Sequence, residues 1–128
     1  MGAELYRIAS HEDAVLDTTR IAVLRQSLGD QRCREVVEEV VFHLTDRLGL
    51  LQIALDEDNG ADAQALASRL ASLSEQVGLA DFARVSRDLC ACLQAGDRTA
   101  TAAVGARLIR LGEESLFSVI HYAEQTAL

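Results

Sequence analysis

The chain contains no proline and no tryptophan, and aromatic residues make up only 4% of its 128 residues. Because proline is the strongest helix breaker, its absence lets helices run on wherever other residues favour them. Apolar residues make up 49% of the chain, and no stretch alternates β-branched and polar residues as a strand does. The composition therefore predicts an all-α domain with a hydrophobic core and excludes general disorder.

Positive charge is also scarce. Twelve basic residues stand against 20 acidic ones, which gives a formal net charge of −8. Since such a surface repels phosphate backbones and anionic lipids, we expect no nucleic-acid partner and no membrane partner. The apolar runs are too short to span a membrane, and the first residues lack the apolar core of a secretion signal. We expect a cytoplasmic protein.

Cysteine is rare, with only Cys33, Cys90 and Cys92. Cys90 and Cys92 are two residues apart on a predicted helix, which places them about 200° apart around its axis. That spacing disfavours both a disulfide and a shared metal ion. We expect all three to be small apolar residues in a reducing compartment, with no metal site and no cofactor.

Apolar residues recur at three- and four-residue steps in five segments, as amphipathic helices require. The first segment runs from Asp17 to Leu28 and ends at Gly29, after which Asp30 is a candidate N-cap. The later helices are predicted at about 31–56, 62–77, 81–96 and 97–124, with Asp97 or Thr99 capping the last one.

Short connections place consecutive helices antiparallel. We therefore expect an up-down antiparallel four-helix bundle over residues 17–125, with an additional short N-terminal helix laid across one end. Residues 1–16 are interpreted as an N-terminal segment with room for a short helix.

The most specific pattern lies between residues 65 and 78. An apolar stripe follows the i, i+4, i+7, i+11 spacing of one helix face: Leu66, Leu70, Leu73 and Val77. Ser68 lies on the opposite face of the predicted helix.

This segment resembles the signature of histidine-phosphotransfer (HPt) domains, which reads Ala-His-x-Leu-Lys-Gly and has a further Gly ten residues past the His. Three positions match that signature: Ala67, Leu70 and Gly78. Three positions depart from it, because Ser68 replaces the phosphoacceptor His, Ala71 the Lys and Ser72 the first Gly. The apolar positions and the closing glycine of the motif are retained, while the residues that accept and neutralise the phosphoryl group are absent.

The resemblance covers the chain from about Val15 to Ser118. Further similar positions in the other helices and turns are Val15-Leu-Asp17, Leu28-Gly-Asp30, Phe42, Asp46, Leu51, Leu55, Phe82, Val85, Leu89 and Ala95-Gly-Asp97. It implies an HPt-like fold and a place in two-component signalling. HPt domains relay phosphoryl groups between receiver domains through an exposed His, with the Lys offsetting the phosphate charge.

The departures imply that this chain does not carry phosphate and is not an enzyme. A serine hydroxyl without an adjacent base is too weak a nucleophile. Arg69 lies about 100° around the helix from Ser68 and does not replace the missing Lys. The resemblance then implies binding to a receiver or histidine-kinase domain through one set of residues: Gln64, Ser68, Arg69, Ala71, Ser72 and Glu75.

The second predicted helix carries an additional apolar set opposite its core stripe. Phe42, Asp46, Gly49 and Ile53 recur at the same helical spacing. A helix that is apolar on two faces is either covered or presents a surface to a partner. We favour coverage by the N-terminal helix, and the alternative is a second partner-binding or self-association surface.

Two other functions stay open. One is a self-associating structural or adaptor bundle outside phosphorelay, for which a homodimer is one form. The other is active phosphotransfer through a displaced His among His11, His43 and His121, with His43 the example on a long predicted helix. None of the three has a Lys three residues on.

Overall fold

Five α-helices make up residues 16–126, the part of the chain that the computed structural model describes, with side chains described as far as Tyr122. The helices are α1 Thr18–Leu28, α2 Asp30–Asp56, α3 Gly60–Gln76, α4 Ala80–Ala95 and α5 Arg98–Thr126. No strand occurs within these described residues. The all-α prediction is confirmed, and each predicted helix boundary lies within two residues of the observed one. The predicted N-terminal segment 1–16 lies outside the described residues except for Leu16.

Polar side chains cap three of the helices. Asp17 accepts from the Thr19 amide at 3.0 Å before α1, and Asn59 accepts from the Asp62 amide at 3.2 Å before α3. Before α5, the Asp97 carboxylate accepts from the amide of Ala100 at 3.0 Å. These bonds satisfy amides that have no partner within the helix, which is why the helices begin where they do.

The expected N-cap at Asp30 is wrong. Gly29 ends α1 at a φ of 84° and is itself the residue before α2, whose first residue is Asp30. The Gly29 carbonyl already accepts from the Cys33 amide at 3.0 Å. Because one glycine serves both helices, no position is left for a separate cap, and the Asp30 carboxylate pairs with Arg25 at 3.4 Å instead.

The four long helices contact one another in a closed order. α2 packs on α3, α3 on α4 and α4 on α5, and α5 also packs on α2, while α1 contacts α2. All five helices contribute to one hydrophobic core, whose fully buried members include Ile21, Leu44, Leu51, Leu70, Leu89 and Leu108. Since each long helix has two neighbours, the α3–α4 pair and the α2–α5 pair lie on opposite sides of this core.

Glycines allow α5 to approach α2 closely. A Cβ added at Gly105 would lie 3.0 Å from Leu55 Cδ1, and one added at Gly112 would lie 2.5 Å from Leu48 Cδ2. From one contact to the other, the chain moves seven residues forward on α5 and seven backward on α2. The two helices are therefore antiparallel, and their register is fixed at both contacts.

The start of α1 is held against the turn between α3 and α4. The Asp17 amide donates to the Gly78 carbonyl at 2.8 Å, and Arg20 Nε donates to the Glu75 carbonyl at 3.3 Å. Gly78 has a φ of 82°, and a Cβ added there would overlap the Asp17 carbonyl. Only glycine fits this contact.

We expect Gly78→Ala to destabilise the fold more than Gly96→Ala. Gly96 also has a positive φ, of 69°, but nothing lies within 4 Å of an added Cβ, so its substitution costs only about 1–2 kcal/mol of conformational strain. At Gly78 the overlap with Asp17 should add about 1–3 kcal/mol. Urea unfolding followed by circular dichroism measures the unfolding free energy of both variants. Equal losses would contradict the described contact between the start of α1 and Gly78.

Candidate functional site

The outer surface of α3 presents Ser68 to solvent near the middle of the helix. Its neighbours Ala67 and Leu70 are buried, while Ser72, one turn further on, is exposed. The Ser72 hydroxyl donates to the Ser68 carbonyl at 3.4 Å. Among the described residues, no acid or base forms a hydrogen bond with the Ser68 hydroxyl, so nothing activates it as a nucleophile.

Helix α4 borders this surface. The Arg87 guanidinium forms an ion pair with the Glu75 carboxylate, and the Cys90 thiol donates to the Gln64 carbonyl at 3.6 Å. Both Gln64 and Glu75 are half-buried as a result. We call this surface the α3–α4 face, made of Gln64, Ser68, Ser72, Glu75 and Arg87.

The expectation that Ala71 belongs to the exposed face is wrong, since only 4% of this residue is accessible. Helix α3 is rotated so that the side bearing Ala67 and Ala71 faces the core and α4. The rotation of a helix against its neighbour is a tertiary property that helical spacing does not fix. Arg69 is exposed, on the other side of Ser68.

Arg87 is the site residue that sequence analysis missed. Ser68 lies ten residues before the Gly78 turn, and Asp88 lies ten residues after it. Because α3 and α4 are joined by this short turn, counting outward from Gly78 pairs Ser68 with the neighbourhood of Arg87. The positive charge of Arg87 is neutralised by Glu75, so it does not reproduce the free cation of the HPt motif.

The predicted apolar set on α2 is open to solvent. Phe42 and Ile53 are 68% and 53% exposed, and Asp46 and Gly49 are exposed between them. Helix α1 packs near the start of α2, where the Cys33 thiol donates to the Ile21 carbonyl at 3.8 Å. The favoured explanation, coverage by the N-terminal helix, is wrong for α1, and residues 1–15 lie outside the described part.

The predicted partner-binding residues therefore form two separate surfaces. Ser68 lies on the side of α3 that α4 borders, whereas the Leu48 and Leu55 contacts place α5 along α2. Phe42 and Ile53 belong to the α2–α5 side, opposite the α3–α4 pair.

The histidines have aromatic and basic neighbours. His43 is exposed, with its ring 5.6 Å from that of Phe42 and its Nδ1 3.2 Å from Arg47 Nη1. His121 stacks on Phe117 at 5.8 Å, and His11 lies outside the described residues. Across residues 16–126, no group of three or more metal-ligating side chains is placed to hold an ion.

A groove of about 960 Å³ opens between α2 and α5 near the turns at one end of the molecule. Its apolar lining includes Leu55, Leu93 and Ile109, and at its rim Arg98 is paired with Asp58. Small residues on α5 leave this space, and helical spacing alone did not indicate it.

No protein-family model, curated protein or solved structure matches this chain. The resemblance to HPt domains therefore has only the residues quoted above behind it. Within residues 16–126, none of the helices has both the length and the apolar character needed to cross a membrane.

The Cys90 thiol reports on the border between α3 and α4. Burial raises the pKa of Cys90 above its ordinary value, and the neighbouring Arg87 partly offsets that rise. In a chain that carries Cys33→Ala and Cys92→Ala, we measure the rate at which iodoacetamide alkylates Cys90 as a function of pH. We expect the midpoint of this rate profile to lie at higher pH than that of a reference peptide with a free cysteine.

Adding Arg87→Gln should move that titration to still higher pH, because the cation is lost and Glu75 is left unpaired. Arg84→Gln is the matched control, since Arg84 pairs with Asp81 within α4. A downward shift in the Arg87 variant would contradict the placement of Arg87 beside Cys90.

Proposed function

We propose that this chain is an HPt-like up-down four-helix bundle that binds a receiver or histidine-kinase domain in two-component signalling without carrying phosphate. The observation that carries the proposal is the position of Ser68. It is exposed in mid-helix, where the HPt signature has its His, with the matching Ala67 and Leu70 buried beneath it.

The chemistry of the α3–α4 face supports binding without transfer. In an HPt domain a ring nitrogen attacks phosphorus, and a nearby cation assists the transfer by offsetting the phosphate charge. Ser68 offers an unactivated hydroxyl, Ala71 offers a buried methyl group, and Arg87 is paired with Glu75. None of these residues can replace the imidazole or the free cation.

The shape of the same face supports docking. Ser68 and Ser72 are small, so a partner's loop can approach the backbone of α3 closely. Gln64 and the Glu75–Arg87 pair supply a polar border of the kind that surrounds protein interfaces. In this proposal the chain occupies a docking surface and competes with, or scaffolds, a working relay.

We expect Ser68→Arg to weaken binding to the cognate receiver or kinase domain by about tenfold or more, because a long charged side chain fills the low centre of the face. The measurement is calorimetric titration against purified receiver and kinase domains from the same organism. Ser27→Arg, at an exposed serine on α1, is the matched control and should bind normally. Binding to none of these domains would favour the adaptor function instead.

We expect the wild-type chain to stay unlabelled when incubated with a radiolabelled phospho-receiver, since no described side chain on the face accepts the group. Ser68→His should introduce an acid-labile label, with Ala71 left unchanged because it is buried. Label on the wild-type chain that is lost in His43→Ala would overturn the proposal and establish transfer through His43.

A further inference from the structure

Exposed apolar side chains of α2 and α5 lie at matching levels along the two helices. Starting from the Leu48–Gly112 contact, six residues back along α2 leads to Phe42, and five residues forward along α5 leads to Phe117. The two phenylalanines, 68% and 71% exposed, therefore lie at nearly the same level of the antiparallel pair.

Both phenylalanines also lie on the groove side of their helices. Asp56 lines the groove fourteen residues after Phe42, about four helical turns away, so the two share one side of α2. On α5, Phe117 follows the groove residue Ala106 by eleven residues, about three turns. Ile120, also exposed, follows the groove residue Ile109 by the same interval. We call this surface the α2–α5 face, made of Phe42, Gly49, Ile53, Phe117 and Ile120.

Acidic side chains border the Phe42 end of this face. Glu35, Glu38 and Glu39 surround Phe42 and His43 in a shallow depression of about 350 Å³. Arg32 neutralises Glu35 at 2.9 Å, whereas Glu38 and Glu39 have no ion pair among the described residues. Asp46 adds a further exposed carboxylate one turn beyond Phe42.

The negative charge of this border favours some kinds of partner over others. A second copy would bring the same carboxylate-lined surface against itself in a chain whose net charge is −8. Phosphate backbones and anionic lipids are repelled for the same reason. A complex with a cationic partner is stabilised in two ways, by the burial of the two phenylalanines and by ion pairs with the unneutralised carboxylates.

We propose that the α2–α5 face binds a basic amphipathic helix of another protein. The apolar side of that helix lies on Phe42, Phe117 and Ile120, and its Lys or Arg side chains reach Glu38, Glu39 and Asp46. This binding is independent of the proposed function, because the α3–α4 face lies on the opposite side of the core and stays open.

The test uses the full chain and a fluorescein-labelled synthetic peptide of roughly 14 residues, long enough for four helical turns. Leucines occupy one face of the peptide helix, at steps of three and four residues, and all remaining positions are lysine. The control peptide has glutamate in place of each lysine. Fluorescence anisotropy should show binding of the lysine peptide alone, with an affinity that falls as salt is raised.

Phe42→Ser should weaken binding by about tenfold or more, as expected for a large aromatic side chain that a partner buries. Val23→Ser removes another exposed apolar side chain, on α1, and should not change binding. The double variant Glu38→Lys, Glu39→Lys should also weaken binding and reduce its dependence on salt. Because all four positions are exposed, circular dichroism should show an unchanged fold.

Three results would overturn the inference: no binding of the lysine peptide, equal losses in Phe42→Ser and Val23→Ser, or loss of binding in Ser68→Arg. Sedimentation showing a wild-type dimer that Phe42→Ser dissociates would assign the face to a second copy instead. Failure of receiver binding with retained peptide binding would contradict only the proposed function.

Discussion

The close approach of α5 to α2 is the constraint on which the arrangement of surfaces depends. At Gly105 and Gly112 the absence of a side chain lets Leu55 and Leu48 pack against the backbone of α5, where they gain dispersion energy from close contact. Two contacts seven residues apart fix both the register and the direction of α5. With α5 held against α2, the order of the long helices closes, and the α3–α4 pair is turned to the opposite side.

Local features of the chain were predictable because they depend on neighbours in sequence. The apolar spacing defined each helix, Gly96 ended α4 as expected, and Asp97, one of the two candidates for the cap of α5, accepts the capping hydrogen bond. Asp30 failed for a local reason, since Gly29 both ends α1 and precedes α2. The prediction for Ala71 failed for a reason of tertiary structure. The rotation of α3 against α4 decides whether that side of the helix is covered, and the periodicity of residues within α3 does not determine this rotation.

The candidate site shows the same division. Helical spacing placed Ser68 on the outer face of its helix. For the apolar set that includes Phe42, we favoured coverage by the N-terminal helix, with a second partner-binding surface as the alternative, and the spacing did not say how the two surfaces lie relative to each other. Their separation follows from which helix neighbours which, and that order is set by contacts between residues far apart in sequence. Arg87 was missed for the same reason, although its position nine residues after Gly78, close to the ten residues that separate Ser68 from Gly78, carried a usable signal.

The distribution of paired charge gives the two faces different chemistry. Arg87 is neutralised by Glu75, so the α3–α4 face, whose central side chains are small and polar, is nearly neutral. The uncompensated negative charge near Phe42 belongs instead to an apolar face. A neutral polar surface and an acidic apolar surface favour different partners. The first admits a partner's loop that approaches the backbone closely, whereas the second attracts cationic side chains. The two proposals together therefore describe a chain that holds two different proteins at once, one on each side of the core.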